Sequence, residues 1–122
     1  MAEKTKAERI KAEMRKLAKN YKDLPKARKS IADGLIQRAA FMRVELEDLE
    51  IDLQENGWTE LFSQGNQEPY NRARPQGQTY NAVNANYQKI IKQLDSMLPK
   101  DDRPVGDPDD GFDAFVHGRD DP

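Results

Sequence analysis

The chain has 122 residues, of which 36% are apolar and 34% charged, enough for one small domain and no more. It lacks cysteine, which excludes disulfides and thiolate metal sites and makes the reducing cytosol a sufficient home. No apolar run reaches the ~18–20 residues that span a bilayer, so no membrane partner is expected. The charged start has no apolar block behind it and is not a secretory signal.

The net charge of −2 conceals a strong polarity. Residues 1–29 carry a net of +7, residues 30–99 a net of −4 and residues 100–122 a net of −5. Such asymmetry points to an anionic partner at the basic end and a protein partner at the acidic end.

A helix is expected over 2–21. Its residues are good helix formers without Gly or Pro, and Ile10, Met14, Leu17 and Tyr21 draw a narrow apolar stripe. Pro25 ends it and suits the first turn of the next helix, expected from 25 or 26 to 55. There Ile31, Leu35, Ala39, Met42, Leu46, Leu49 and Leu53 form one seam, with a second row of Ile36, Ala40, Val44 and Ile51 beside it. Two rows predict burial on more than one side, as in a bundle or a multi-subunit assembly. Gly34 costs roughly 1 kcal/mol against Ala inside that helix. Asn56-Gly57 is a good stop.

Residues 58–78 read as a long polar connection, with a helical turn at Thr59-Glu60-Leu61-Phe62 and no sustained β pattern. A loop this long in a small domain usually has a role. Trp58, Leu61 and Phe62 are expected to cap the core of a helical hairpin. Arg72 and Arg74 read as solvated, the alternatives being phosphate or a neighbouring subunit's carboxylates. A third helix is expected over 79–98, with Tyr80, Val83, Tyr87, Ile90, Leu94 and Met97 in heptad spacing. Pairing the second and third helices antiparallel is the simplest way to bury both seams.

The expected fold is therefore all-α. It comprises a basic N-terminal helix (1–25), a helical hairpin that serves as an oligomerisation core (26–99) and a disordered acidic tail (100–122). The tail is rich in Asp, Pro and Gly, apart from an island of Phe112, Phe115 and Val116. Exposed aromatics in an acidic segment often anchor in a partner's groove.

Catalysis finds little support. The one histidine, His117, sits among tail aspartates and reads as solvated. Glu45, Glu47, Asp48, Glu50, Asp52 and Glu55 offer oxygen ligands for a divalent cation, but they alternate with the apolar seam as a solvent face does. The Gly-rich phosphate loop is absent. No cofactor, resident metal or catalytic residue is expected. The candidates for nucleic-acid contact are Lys4, Lys6, Arg9, Lys11, Arg15, Lys16, Lys19, Lys22, Lys26, Arg28 and Lys29. Clustered cations give salt-sensitive binding of weak sequence preference. The plain alternative is an amphipathic helix kept wet by its charges.

The order Glu55-Asn56-Gly57-Trp58, Gln67-Glu68-Pro69-Tyr70, Arg74-Pro75, Tyr80-Asn81, Asn86-Tyr87 and Leu98-Pro99-Lys100, with an Asp- and Phe-containing tail, resembles the small terminase subunit of tailed bacteriophages. The likeness runs over 43–115. It implies a non-enzymatic protein in the cytoplasm of the infected bacterial host. Such a protein recognises double-stranded phage DNA, assembles into a homo-oligomeric ring and recruits the large terminase subunit, which supplies the ATPase and nuclease. Carried onto this chain, Met42, Leu46, Leu49, Leu53, Trp58, Tyr80, Val83, Tyr87, Ile90 and Leu94 would build the ring. The N-terminal cations would meet DNA phosphates, and Phe112, Phe115 and Val116 would dock the large subunit. The rival reading is a structural coiled-coil or scaffold protein with no nucleic-acid role.

Overall fold

The computed structural model of the chain describes residues 3–99. Three helices and a two-stranded ribbon follow in the order α1 (Lys6–Ala18), α2 (Lys26–Asn56), β1 (Thr59–Phe62), β2 (Tyr70–Ala73) and α3 (Pro75–Ser96). A 3-10 turn at Lys19–Tyr21 extends α1. The mostly helical fold expected from the sequence is present over these residues. The acidic tail and its island of Phe112, Phe115 and Val116, with His117, lie outside them.

The first helix starts at Lys6 and not near residue 2, because Thr5 caps it. The Thr5 hydroxyl accepts from the Glu8 backbone N–H at 3.1 Å, satisfying one of the free donors of the first turn. No residue of α1 is fully buried. Its stripe of Met14 and Leu17, continued by Tyr21 in the 3-10 turn, packs on the core.

The central element is α2, about 46 Å long at 1.5 Å per residue. Pro25 holds the non-helical position ahead of it, and Gly57 closes it at φ +81°, donating its N–H to the Leu53 carbonyl at 2.8 Å. That left-handed conformation suits glycine. Both neighbours run antiparallel to α2. α1 begins opposite Glu45 and Asp48, and its end meets Ala32 and Ile36 through Tyr21. On the other helix, Tyr80 donates to Glu50 at 2.9 Å, and Leu94 joins Ala32, Ile36 and Ala39 in the core.

The two rows read in α2 divide between these partners. Ala39, Leu46 and Leu53, seven residues apart, are buried. Ile36, Ala40 and Val44 are buried as well, in line with Glu47 and Asp48, which α1 binds. Ile51 continues that row beyond the start of α1 and stays 53% exposed.

The connection corrects the sequence reading. Thr59-Glu60-Leu61-Phe62 is a strand and not a helical turn, and it pairs with Tyr70–Ala73 in an antiparallel ribbon. The register sets Glu60 opposite Arg72 and Phe62 opposite Tyr70. These four share one face, since strand side chains alternate. There the Arg72 guanidinium stands 3.5 Å from the Phe62 ring centroid and binds Glu60 at 2.8 Å, while Phe62 meets Tyr70 edge-on. Cross-strand pairs of this kind stabilise a ribbon whose strands are too short to show alternation. Gly65, at φ +61°, turns the loop between the strands.

The third helix starts at Pro75, four residues before the expected position. Proline fits a helix's first position because it has no N–H to leave unpaired. Gly77 follows, buried beneath the Trp58 indole, which also meets Tyr80 edge-on at 5.9 Å. Trp58 thus closes the end of the helical hairpin, whereas Leu61 points away at 71% exposure.

The two helical glycines should respond oppositely to Ala. A Cβ at Gly77 would come within 2.8 Å of Trp58 Cε3, a clash that should cost about 1–3 kcal/mol. A Cβ at Gly34 meets only the Arg38 side chain at 3.6 Å, so Gly34→Ala should gain up to about 1 kcal/mol from helix propensity. Chemical denaturation of both variants checks the pair; equal shifts would contradict the packing described.

Candidate nucleic-acid interface

The eleven candidate cations separate into two groups. Lys6 and Arg9, near the start of α1, are spent within the chain. Lys6 binds the Glu45 carboxylate and lies 3.7 Å from Asp48; Arg9 donates to Asp48 at 2.8 Å and reaches Glu47 at 3.7 Å. The bond to Glu45 raises the Lys6 ammonium above the usual lysine range, and the bond to Asp48 does the same for Arg9. Lys4 is exposed ahead of the helix. The other eight (Lys11, Arg15, Lys16, Lys19, Lys22, Lys26, Arg28 and Lys29) are all exposed, and none forms an ion pair with a described residue. They follow one another through the second half of α1, the connecting turn and the first turn of α2. Lys11, Arg15 and Lys19 recur every four residues and share one side of α1.

The acidic stripe of α2 is not the free solvent face that alternation suggested. Glu45, Glu47 and Asp48 hold α1, Glu50 accepts from Tyr80, and Asp52 binds Arg74 and Asn56. Among the described residues no group of three acids or histidines is placed to hold a metal ion.

The residues assigned to oligomerisation also separate. Leu46, Leu53 and Leu94 are buried inside the protomer. Tyr87 packs on the core and accepts a hydrogen bond from Arg43, which raises the Arg43 guanidinium above its usual range. Tyr80 is held by Glu50 and Trp58. Met42, Leu49, Val83 and Ile90 are half-buried. Leu35, Met42 and Leu49 form one seven-residue row on α2, and Val83, Ile90 and Met97 form one on α3. Met42 stands about 200° around α2 from Ala40, at 100° per residue. The α2 row therefore lies away from α1. Phe41, beside it, is 52% exposed.

The ribbon is fixed to the helices at its root. Arg74 is nearly enclosed, with 11% of its side chain exposed, and is not the solvated residue expected. It donates to Asp52 at 2.8 Å and to the Gly57 carbonyl, and its backbone N–H reaches the Trp58 carbonyl at 2.9 Å. One guanidinium thus joins the end of α2, the start of β1 and the start of α3. Sequence reading missed this clamp because Asp52 and Arg74 are 22 residues apart.

No described helix is long and apolar enough to cross a membrane. No protein-family model, curated protein or solved structure matches the chain.

The clamp carries a pH signature. Hydrogen bonds from Arg74 and then Asn56 hold Asp52 below its ordinary value of 3.8. Its contribution should be fully present above that value and vanish as pH falls through the lowered one. Arg74→Met should remove this acid-sensitive part of the stability. Denaturation midpoints of both proteins between pH 6 and pH 2 check it; parallel pH curves would contradict it.

Proposed function

We propose that this chain is the small subunit of a phage terminase. In this reading it binds double-stranded DNA as a homo-oligomer and recruits the large ATPase-nuclease subunit, with no reaction of its own. The observation that carries the DNA-binding part is the run of eight exposed cations from Lys11 to Lys29 that form no ion pair with a described residue. Glu45, Glu47, Asp48, Glu50 and Asp52 of α2 are bound to α1's first turns, to Tyr80 and to the ribbon root, so these five do not neutralise that run. Phosphates are the matching partner for clustered, mobile ammonium and guanidinium groups.

Assembly is supported by the half-buried rows Leu35-Met42-Leu49 and Val83-Ile90-Met97 that flank the seam between α2 and α3, of which Met42, Leu49 and Val83 lie outside the protomer's own core cluster. Two such rows at heptad spacing form the kind of surface on which another helical hairpin packs. Five of the residues quoted for the resemblance to small terminases meet at one place in this fold. Gly57 stops α2, Trp58 covers Gly77, Arg74 clamps Asp52, Pro75 starts α3 and Tyr80 meets Trp58. A ring would multiply the cation run by its copy number, giving avidity that a protomer lacks. Phe112, Phe115 and Val116 are proposed as the dock for the large subunit.

Reversing Lys11, Arg15 and Lys19 to Glu should weaken binding to duplex DNA at least tenfold near 0.1 M salt. It should also flatten the slope of log K against log salt by about 3 per engaged protomer, at about 0.9 per phosphate contact. The mass of the assembly should not change. Unaltered affinity and slope would refute the DNA-binding assignment and leave the scaffold reading.

Leu49→Glu combined with Val83→Glu should reduce the assembly to protomers, read by light scattering, with the helical circular dichroism retained. A folded double variant that keeps the wild-type mass would exclude these rows as the interface.

A further inference from the structure

At the end of the bundle where α1 passes into α2 and α3 finishes, a cleft of about 530 Å³ opens. Tyr21, Leu24, Met97 and Leu98 give it apolar walls, and the charged side chains that line it are Asp23 and Arg28. The exposed Lys22, Lys26 and Lys29 are its sequence neighbours. The volume falls within the ~300–1,000 Å³ typical of pockets that take organic groups. Pro99 is part of the wall. Residues 100–122 therefore leave the described structure from the cleft itself.

We propose that this cleft is the docking site of the chain's own acidic segment 100–122, with Phe112 and Phe115 seated on its apolar walls. Three observations converge. The segment carries a net charge of −5 and is tethered beside the most basic part of the molecule. Its two aromatics lie three residues apart, close enough in sequence for both to reach one apolar surface, and Asp109, Asp110 and Asp113 flank them. The twelve residues between Pro99 and Phe112 span up to about 40 Å when extended, enough to leave the cleft and return. A tethered segment acts at millimolar effective concentration, so a contact of only ~0.1 mM intrinsic affinity would be occupied about nine-tenths of the time.

The functional consequence rests on the DNA-binding reading above: the docked segment screens Lys22, Lys26, Arg28 and Lys29 and competes with DNA. Capture of the same aromatics by another protein would release the cations.

The test uses the full chain, wild type against Phe112→Ala/Phe115→Ala and, from the opposite side, Leu24→Asp. Amide hydrogen exchange at residues 20–28 and 97–99 reads docking without DNA. Protection in the wild type that is lost in both variants is expected, with exchange in the middle of α2 unchanged as the control for folding. Equal exchange at the cleft in wild type and the Phe variant would overturn the proposal. Fluorescence anisotropy with a labelled duplex then reads competition, and the Phe variant should bind about tenfold more tightly at low salt. Lost protection with no DNA binding by any form would leave the docking standing and sink the DNA reading. Tight DNA binding with identical protection would do the reverse.

Discussion

Both other helices of this fold pack on α2, and its alanines allow it. Ala32, Ala39 and Ala40 have no exposed surface. Helix axes approach to about 8–10 Å according to the side chains at the contact, and methyl groups allow the near end of that range. The end of α1 and the second half of α3 can therefore share one stretch of α2, with Tyr21, Ile36 and Leu94 filling the space between them. The core is thin as a result. Leu94 and Val44 are its largest fully enclosed side chains. In a domain of this size apolar burial is a small fraction of the whole, so polar contacts outside the core carry an unusual share of the positioning.

Those polar contacts follow a division of labour. The first two turns of α1 are pinned by Lys6 and Arg9 to Glu45, Glu47 and Asp48, and the ribbon is pinned by Arg74 to Asp52. The exposed pairs on α1 contribute little each to stability. They set the antiparallel register of α1, because only one alignment brings two cations opposite three acids. With those acids engaged, the cations from Lys11 to Lys29 form no ion pair with a described residue. The same arrangement that orients α1 leaves its second half as an uncompensated positive surface.

The helices were largely legible in the sequence because their signals are local. The seam of α2, the Pro25 boundary and the Gly57 stop each depend on a few adjacent residues. The early start of α3 was also written locally, in Pro75, but the glycine and polar residues after it masked the signal. Gly77 is tolerated there only because Trp58 needs the space. The ribbon was not legible: four-residue strands show no clear period, and their stabilising contacts, Glu60 with Arg72 and Phe62 with Tyr70, lie across a turn. The basic cluster of residues 4–29 was legible from composition. Its separation into spent and free groups depends on acids more than 35 residues away, and neither spacing nor charge count reveals that pairing.

A two-stranded ribbon is marginal by itself in water. Here it is anchored at one end by Arg74 and Trp58 and extends from the helical hairpin with Leu61 and Tyr70 exposed. At its base, Ile51 and Trp58 are about half exposed. This apolar group stands at the opposite end of α2 from the run Arg15–Lys29. The half-buried rows on α2 and α3 connect the two ends, on a side of α2 that α1 does not occupy. Packing along those rows would draw apolar surface out of water while leaving the cations at the other end in solvent. In the proposed function, assembly and polyanion binding would thus make no competing demand on the same side chains, and each additional copy would add to the positive field without covering it.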